Sequence, residues 1–293
     1  MSHQNTNAYY LPAPSSWPIK ASIAVFCMFA GGANWLHDVS FGPYLFTIGI
    51  LILAYIIFGW FGTVIRENRA GLLHGQQVYY SFRKAMIWFI FSEVMFFGAF
   101  FGALFYIRVF ALPALGGLGS HIASHAVMWP DFHAVWPLLK NPSPNEFIGP
   151  KSVMEAWGIP TINTVILLTS GITITIAHWS LLKNHRKTML ISQLFTALLG
   201  ITFLILQAHE YTVAYLQKGL TLGSGAFGTT FFMLTGFHGL HVTIGTIGLI
   251  VILYRMLKHD FNSHNHFAFE AISWYWHFVD VVWLLLFIFV YCM

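Results

Sequence analysis

The sequence predicts an all-α integral membrane protein with seven transmembrane helices. Of its 293 residues, 57% are hydrophobic and only 8% are charged, against about 25% charged residues in a typical soluble domain. So few charges cannot cover the surface of a soluble domain, and a formal net charge of +4 is too small to indicate nucleic-acid binding. The apolar residues form segments of about 20 residues, the length that crosses the hydrocarbon core of a bilayer.

Seven segments meet this length criterion. The first is the weakest, because Gly31, Gly32 and Asn34 dilute its apolar character. Short turns join the last four segments, so the last five helices are expected to form one compact bundle. In chain order the predicted spans are Lys20–Leu36, Phe41–Ile65, Phe82–Phe110, Ile162–Leu182, Met189–Tyr211, Ala226–Leu257 and Ala271–Met293.

The segment before the first span, residues 1–19, is polar and lacks the basic n-region and small-residue cleavage site of a secretory signal, so we expect no cleaved signal peptide. The two cysteines, Cys27 and Cys292, each lie inside a hydrophobic segment without neighbouring ligand residues. We therefore expect neither a disulfide nor a thiolate metal site.

The distribution of Lys and Arg predicts the orientation, since cytoplasmic loops are enriched in these residues. Ten of the 14 Lys and Arg residues lie in the N-terminal tail and the even-numbered connections. The other four are Arg108, Lys140, Lys151 and Lys218. We therefore expect the N-terminus in the cytoplasm and the C-terminus outside, in the periplasm.

The longest connection, residues 113–160, contains seven of the 11 prolines. Loops of this length are usually functional or docking segments. The predicted orientation places it on the outer side, with a short interfacial helix near His121–Trp129.

Two carboxylates lie inside predicted spans, where a charge is costly and functional residues concentrate. Glu93 lies about 16 Å into the third span and Asp280 about 14 Å into the last, at 1.5 Å per residue. Glu93 is either a proton-exchanging carboxylate or a protonated helix contact, and both readings remain open. For Asp280 a structural pair with His277, three residues earlier on the same helix face, is favoured.

Two histidines, His238 and His241, lie within the sixth span. At 100° per residue they share an arc with Gly245 and Gly248, while Thr235, Gly239 and Thr243 form a second stripe of small residues. Glycines at close-packing positions leave little room for a haem. Both histidines are therefore predicted to be interhelical hydrogen-bonding groups rather than ligands of a metal or haem.

The remaining histidine-rich positions are predicted to lie at helix ends or in loops. A metal site there would need several ligands to converge, and the sequence fixes no such geometry. We expect contacts with lipid headgroups or neighbouring loops instead. These positions are His178, His209 with Glu210, His259, His264 and His266.

A further set of basic residues falls at the cytoplasmic boundary. Arg66, His74, Arg83 and Arg255 lie at the inner headgroup level, where basic pockets between helices hold anionic lipids. Positive-inside anchoring explains each of them separately, so convergence on one lipid site is left open.

Six strings together resemble, in order and spacing, the motifs of the cytochrome c oxidase subunit III family. The resemblance covers nearly every helix from residue 41 onward and is most specific over the last seventy residues. The strings are "VIREN", "FSEVMFFGAFF", "INTVILLTSG", "LQAHEY", "GTTFFMLTGFHGLHVTIG" and "FAFEAISWYWHFVDVVWLLLF".

The resemblance implies a two-helix N-terminal part, residues 20–81, separated by a lipid-filled cleft from a five-helix bundle, residues 82–293. It implies a non-catalytic subunit of a proton-pumping oxidase of the aerobic respiratory chain that holds structural phospholipid but no metal or other cofactor. Subunit I, against which it packs, and subunit II would supply haem and copper, and cytochrome c would supply electrons. The chain is expected to support proton uptake and to protect the active site during turnover.

The resemblance also implies roles for individual residues. The residues that match family headgroup contacts are Arg66, Glu67, His74, Arg83 and Arg255. Glu93 matches the buried glutamate beside the cleft and is the candidate for proton-uptake support. The sequence departs from the family at Trp60–Thr63, where a Trp-Trp-Arg-Asp string is usual, so the lipid set is smaller or rearranged. The loop 113–160 is longer than in mitochondrial relatives, which favours a bacterial inner membrane.

Two alternatives remain. One is the homologous subunit of a quinol oxidase or nitric oxide reductase, which generally lacks the first two helices. The other is a proton-coupled transporter built around Glu93 and Asp280. That class predicts inverted-repeat halves with broken helices, and the sequence has no such internal symmetry.

Overall fold

The computed structural model describes residues 11, 13–73, 75–263 and 265–293, and these residues form helices and connections without any strand. The described helices are α1 Trp17–Leu36, α2 Gly42–Arg69, α3 Gln76–Tyr106, α4 Leu112–Leu115, α5 Ile122–Met128, α6 Ile159–Leu182, α7 Arg186–Leu216, α8 Ala226–Leu257 and α9 Phe267–Leu286. A π-helical segment, Ile107–Ala111, joins α3 to α4, and a second, Phe287–Cys292, extends α9.

Seven of these helices are long and apolar enough to cross a membrane, which confirms the predicted fold class of a multi-pass all-α membrane protein. Several extend beyond the predicted limits: α3 begins at Gln76 instead of Phe82, and α7 runs from Arg186 to Leu216. Hydropathy detects only the apolar part of a helix. The backbone hydrogen-bonding pattern continues into the interface, where polar side chains reach the headgroups.

The chain divides into two compact units, one ending at Arg83 and the other beginning at Lys84. In the first unit, α1 and α2 are antiparallel neighbours that approach closely at glycines. A Cβ atom on Gly31 would collide with the backbone of Phe46, and one on Gly42 with the backbone of Trp35. The small residues that weaken α1 as a hydropathy signal therefore mark its contact with α2.

The second unit is built around α6, α7, α8 and α9, with α3 packed against them. Its core contains large, fully buried side chains from several helices, among them Phe203, Leu249, Trp276 and Trp283. These side chains interdigitate in the apolar centre of the bundle and fix the positions of the polar residues around them.

Helix α8 packs closely against α9 at two glycines. Cβ atoms on Gly245 and Gly248 would lie 2.8 Å from the Trp276 ring and 2.7 Å from Ile272, so the predicted glycine face does pack against α9. The second stripe of small residues, in contrast, does not form a continuous packing face among the described residues. Thr235 is buried, but a Cβ on Gly239 would meet no atom within 4 Å and Thr243 is exposed.

The long connection, residues 113–160, packs against the bundle. It contains α5, which confirms the short helix predicted near His121–Trp129. Its Lys151 backbone N–H donates to the Lys218 carbonyl at 2.8 Å, and the Lys218 ammonium donates to the Val153 carbonyl at 2.7 Å. Trp136 packs edge-on against Phe227 at the start of α8. The connection therefore covers one end of the bundle.

Candidate functional site

The principal polar contact of the second unit joins α3 to α8. The Glu93 carboxyl oxygen Oε2 lies 2.8 Å from Nε2 of His241, with side-chain exposures of 21% for Glu93 and 10% for His241. The sequence indicated each residue separately as polar within a span, but it did not indicate that they meet. The structure brings them together.

The hydrogen bond made by the second ring nitrogen of His241 determines the number of protons shared between Glu93 and His241. Nδ1 lies 2.6 Å from the Phe237 carbonyl, which can only accept, so Nδ1 carries a hydrogen and donates it. One further hydrogen occupies the contact between Nε2 and Oε2. The pair is then either a carboxylic acid with a neutral imidazole or a carboxylate with an imidazolium, and both forms have zero net charge.

Aromatic rings surround this pair. The His241 ring lies 5.0 Å from Phe97 in an edge-on arrangement, 6.0 Å from Phe96 and 6.3 Å from the stacked ring of Tyr275. These rings exclude most other polar partners and hold the imidazole in place. The remaining accessible edge of the site is at Glu93, the more exposed of the two partners.

His238 behaves differently from His241, although both were predicted to be interhelical hydrogen-bonding groups. Neither ring nitrogen of His238 has a hydrogen-bond partner among the described residues. Its ring lies between helices, 5.3 Å from Trp283 and 5.8 Å from Phe203. The hydrogen-bonding prediction for His238 is therefore corrected to aromatic packing, because large rings on α7 and α9 occupy the positions where polar partners would be needed.

Asp280 and His277 face α6. Oδ2 of Asp280 lies 3.8 Å from Nδ1 of His277, and Nε2 of His277 lies 3.4 Å from the Thr175 hydroxyl. A Cβ on Gly171 would be 2.6 Å from Asp280 Oδ2, so the glycine lets the carboxyl approach the helix backbone. The three-residue spacing thus places the two side chains next to each other on the face of α9 that meets α6.

The burial of the Glu210 carboxyl group was not predicted from the sequence. Glu210 was placed at a helix end, but α7 continues to Leu216 and Glu210 is 0% exposed. The Tyr291 hydroxyl lies beside its carboxyl group and beside the amide of Gln207, while neither carboxyl oxygen has a well-directed hydrogen bond among the described residues. The apolar stretch before Glu210 could have indicated this burial. If the helix is continued beyond that stretch, Glu210 lies within the span and not at its end.

The predicted lipid contacts have different environments. Arg66 is exposed at the end of α2, and its Nη2 donates to the Thr63 hydroxyl at 3.0 Å. Glu67 follows it on the same helix and is half-buried. Arg83 in α3 donates to the Tyr79 hydroxyl and lies over that ring. His74 lies outside the described residues.

Arg255 departs from the predicted headgroup role. It is 5% exposed, its Nε donates to Asp260 at 3.1 Å, and its guanidinium lies 4.5 Å above the Phe261 ring. A buried cation that already has a carboxylate partner gains little from a lipid phosphate. We therefore remove Arg255 from the lipid-binding set.

The histidines predicted to lie at helix ends or in loops occupy different parts of the structure. His209 is exposed on α7, and His259 lies in the turn after α8 with a positive φ of 62°. His264 lies outside the described residues. His178 and His266 come together at the end of α6 and the start of α9, with their ring centroids 5.6 Å apart.

Comparison with known proteins identifies close relatives. The family model described as cytochrome c oxidase subunit III matches residues 7–130 and 125–293. The protein named cytochrome c oxidase subunit 3 from Prototheca wickerhamii is 40% identical over 285 residues, covering 97% of this chain and 96% of that protein. Proteins of the same name from Latimeria chalumnae and Oryctolagus cuniculus are each 40% identical over 291 residues, covering 99% of this chain and 98% of theirs.

Proposed function

Because this chain belongs to the cytochrome c oxidase subunit III family, we propose that it is the non-catalytic third subunit of a proton-pumping oxidase. In this role it packs on subunit I, beside subunit II, in an aerobic respiratory chain whose electron donor is cytochrome c. Haem and copper reside in the partner subunits. The proposed location is a bacterial inner membrane, with the N-terminus in the cytoplasm and the C-terminus in the periplasm.

The contact between Glu93 and His241 is the observation that supports a role in proton uptake. The pair holds one transferable proton at zero net charge in either arrangement, which keeps the cost of burying it within a membrane span low. Its carboxyl edge is accessible, whereas the imidazole is held by the Phe237 carbonyl and by aromatic rings. Such a pair can hold a proton near the membrane interior and release it to a neighbouring uptake path.

The test compares the purified oxidase complex with and without this chain. We expect the complex without it to keep its haem absorption spectrum and its initial rate of electron transfer, because the redox centres lie in other subunits. Proton uptake should slow and activity should be lost sooner during turnover. Adding the chain back is the control. Loss of the haem spectrum, or unchanged uptake and lifetime, would contradict the proposal.

The family matches also help to distinguish this chain from the homologous subunits of quinol oxidases and nitric oxide reductases. The family model covers residues 7–130, which include α1 and α2. Quinol oxidases and nitric oxide reductases were distinguished by the general absence of these two helices from their homologous subunits. The match therefore supports the cytochrome c oxidase assignment, and the relatives carry that name.

A second proposed role is the binding of structural phospholipid at the end of α2. Arg66 is exposed, and its bond to Thr63 orients the guanidinium at the helix terminus. Guanidinium groups bind phosphate through paired hydrogen bonds. Glu67 adds a carboxylate that suits an ammonium-bearing headgroup. Thr63, which stands where the family usually has Asp, thus takes part in positioning Arg66.

Arg66→Gln tests this role. One basic residue at the headgroup level contributes about 1 kcal/mol to the binding of an anionic lipid, so we expect about fivefold weaker retention of phospholipid. The measurement is mass spectrometry of lipids that stay bound to the purified complex through detergent washing. The matched control is Lys187→Gln, an exposed cation in α7. Equal retention in both variants would contradict the assignment.

A further inference from the structure

Three metal-binding side chains converge where α6 ends and α9 begins. His178 lies four residues before the end of α6, His266 directly precedes α9, and Glu270 lies in the first turn of α9. One ligand atom from each residue lies within 4.8 Å of the other two. In the sequence, His266 lies near the loop histidines His259 and His264, and no fixed ligand geometry follows from their spacing. The tertiary structure supplies His178 and Glu270 instead.

The hydrogen bonds of His266 leave a lone pair directed into this cluster. Its Nδ1 lies 3.2 Å from the Asn262 carbonyl, which can only accept, so Nδ1 carries the hydrogen of the neutral ring. In the neutral ring, the form that binds a metal, Nε2 presents a lone pair 3.6 Å from Oε1 of Glu270. A histidine that donates to a backbone carbonyl through its other nitrogen has the tautomer and orientation typical of metal ligands.

His178 supplies the third donor. Its Nε2 is buried and has no hydrogen-bond partner among the described residues, although a buried polar atom normally has one. The ring packs 5.3 Å from Phe269, which fixes one side of the cluster. Two imidazoles and a carboxylate thus share a small, largely buried volume.

We propose that His178, His266 and Glu270 form a zinc site. Zn²⁺ takes nitrogen at about 2.0–2.1 Å and carboxylate oxygen at about 2.0–2.2 Å in tetrahedral geometry, which places ligand atoms about 3.3 Å apart. The separation of 3.6 Å between His266 and Glu270 is already close to this value, and the ligand atom of His178 lies within 4.8 Å of the other two. Water completes the fourth position. Two imidazole ligands disfavour Mg²⁺ and Ca²⁺, which prefer oxygen.

Binding at this site would connect two helices whose ligands are 88 residues or more apart in sequence. The metal would hold the end of α6 to the start of α9. The carboxylate offsets one of the two positive charges of Zn²⁺, which lowers the cost of holding the ion at a largely buried position. This inference is independent of the proposed respiratory role, because it concerns the metal content of the chain and not its activity.

The experiment uses the purified complex that contains the full chain. The complex is stripped with a chelator, dialysed against Zn²⁺ alone and analysed for metal by mass spectrometry, with zinc counted per copy of this chain. We expect His178→Ala and Glu270→Gln each to bind one zinc equivalent fewer than the unmodified complex. His185→Ala is the matched control, because it removes an exposed histidine just after α6, and it should bind as much zinc as the unmodified chain.

X-ray absorption provides a second readout. The difference between the zinc spectra of the unmodified complex and of Glu270→Gln should show nitrogen and oxygen ligands with imidazole scattering. Equal zinc content in all variants, or equal loss in His185→Ala, would overturn the proposal. Glu270→Gln conserves side-chain shape, so its zinc content tests the proposed site even if His178→Ala fails to assemble into the complex. Counting per copy of this chain separates loss of the metal from loss of the subunit.

Discussion

Glu93→Gln is expected to slow proton uptake by the oxidase complex and to shorten its active lifetime during turnover by about tenfold. The glutamine amide can donate to Nε2 of His241 and so preserve the contact between α3 and α8, but it has no transferable proton at neutral pH. A tenfold change corresponds to about 1.4 kcal/mol in the barrier. Packing is therefore retained, while proton uptake is slower.

The measurement combines pH-indicator recording of proton uptake with oxygen consumption followed over successive turnovers. The matched control is His238→Phe, one turn earlier on α8. His238 makes no hydrogen bond among the described residues and packs as a ring, so the variant should take up protons at the normal rate. If Glu93→Gln behaves like His238→Phe, Glu93 has no protonic role and its contact with His241 serves packing alone.

Trp276→Ala is expected to destabilise the second unit by about 3 kcal/mol, the low end of the range for removing a large aromatic side chain from a core. Trp276 is fully buried, its Nε1 donates to the Ser170 hydroxyl at 2.8 Å, and its ring fills the space beside Gly245 and Gly200. In a bilayer the unfolded reference is also apolar, so the loss comes mainly from van der Waals packing and the hydrogen bond.

The measurement is the temperature at which this chain becomes susceptible to protease in the purified complex. The matched control is Trp157→Ala, since Trp157 is 83% exposed in the connection 113–160 and its removal leaves no cavity. An unchanged transition for Trp276→Ala would mean that neighbouring side chains collapse into the space, and the packing described for α8 against α9 would then be incorrect.

Together the two experiments separate the roles of polar and apolar residues in the same bundle. The Glu93 variant changes proton chemistry with little change in packing, whereas the Trp276 variant changes packing at a site that holds no transferable proton. A reduced lifetime of the Trp276 variant during turnover, with normal initial proton uptake, would therefore indicate instability rather than a protonic defect.

The class of the protein, the number of spans and the family could be predicted from the sequence. A span is a local property, because each helix satisfies its own backbone hydrogen bonds and only needs enough consecutive apolar residues. The pair formed by His277 and Asp280 was also accessible, since three-residue spacing on one helix places the two side chains together. Helix ends were less accurate, because helices continue beyond the apolar segment into the interface.

The partners of polar residues on different helices were decided by the tertiary structure alone. Glu93 and His241 are 148 residues apart, and helical periodicity assigns each to a face without stating which helix that face contacts. The same limit explains why His238 and His241 shared one predicted role but have different surroundings, and why His178, His266 and Glu270 were not grouped. A helix fixes the directions of its own side chains, but only the packing of helices against one another determines which side chains meet.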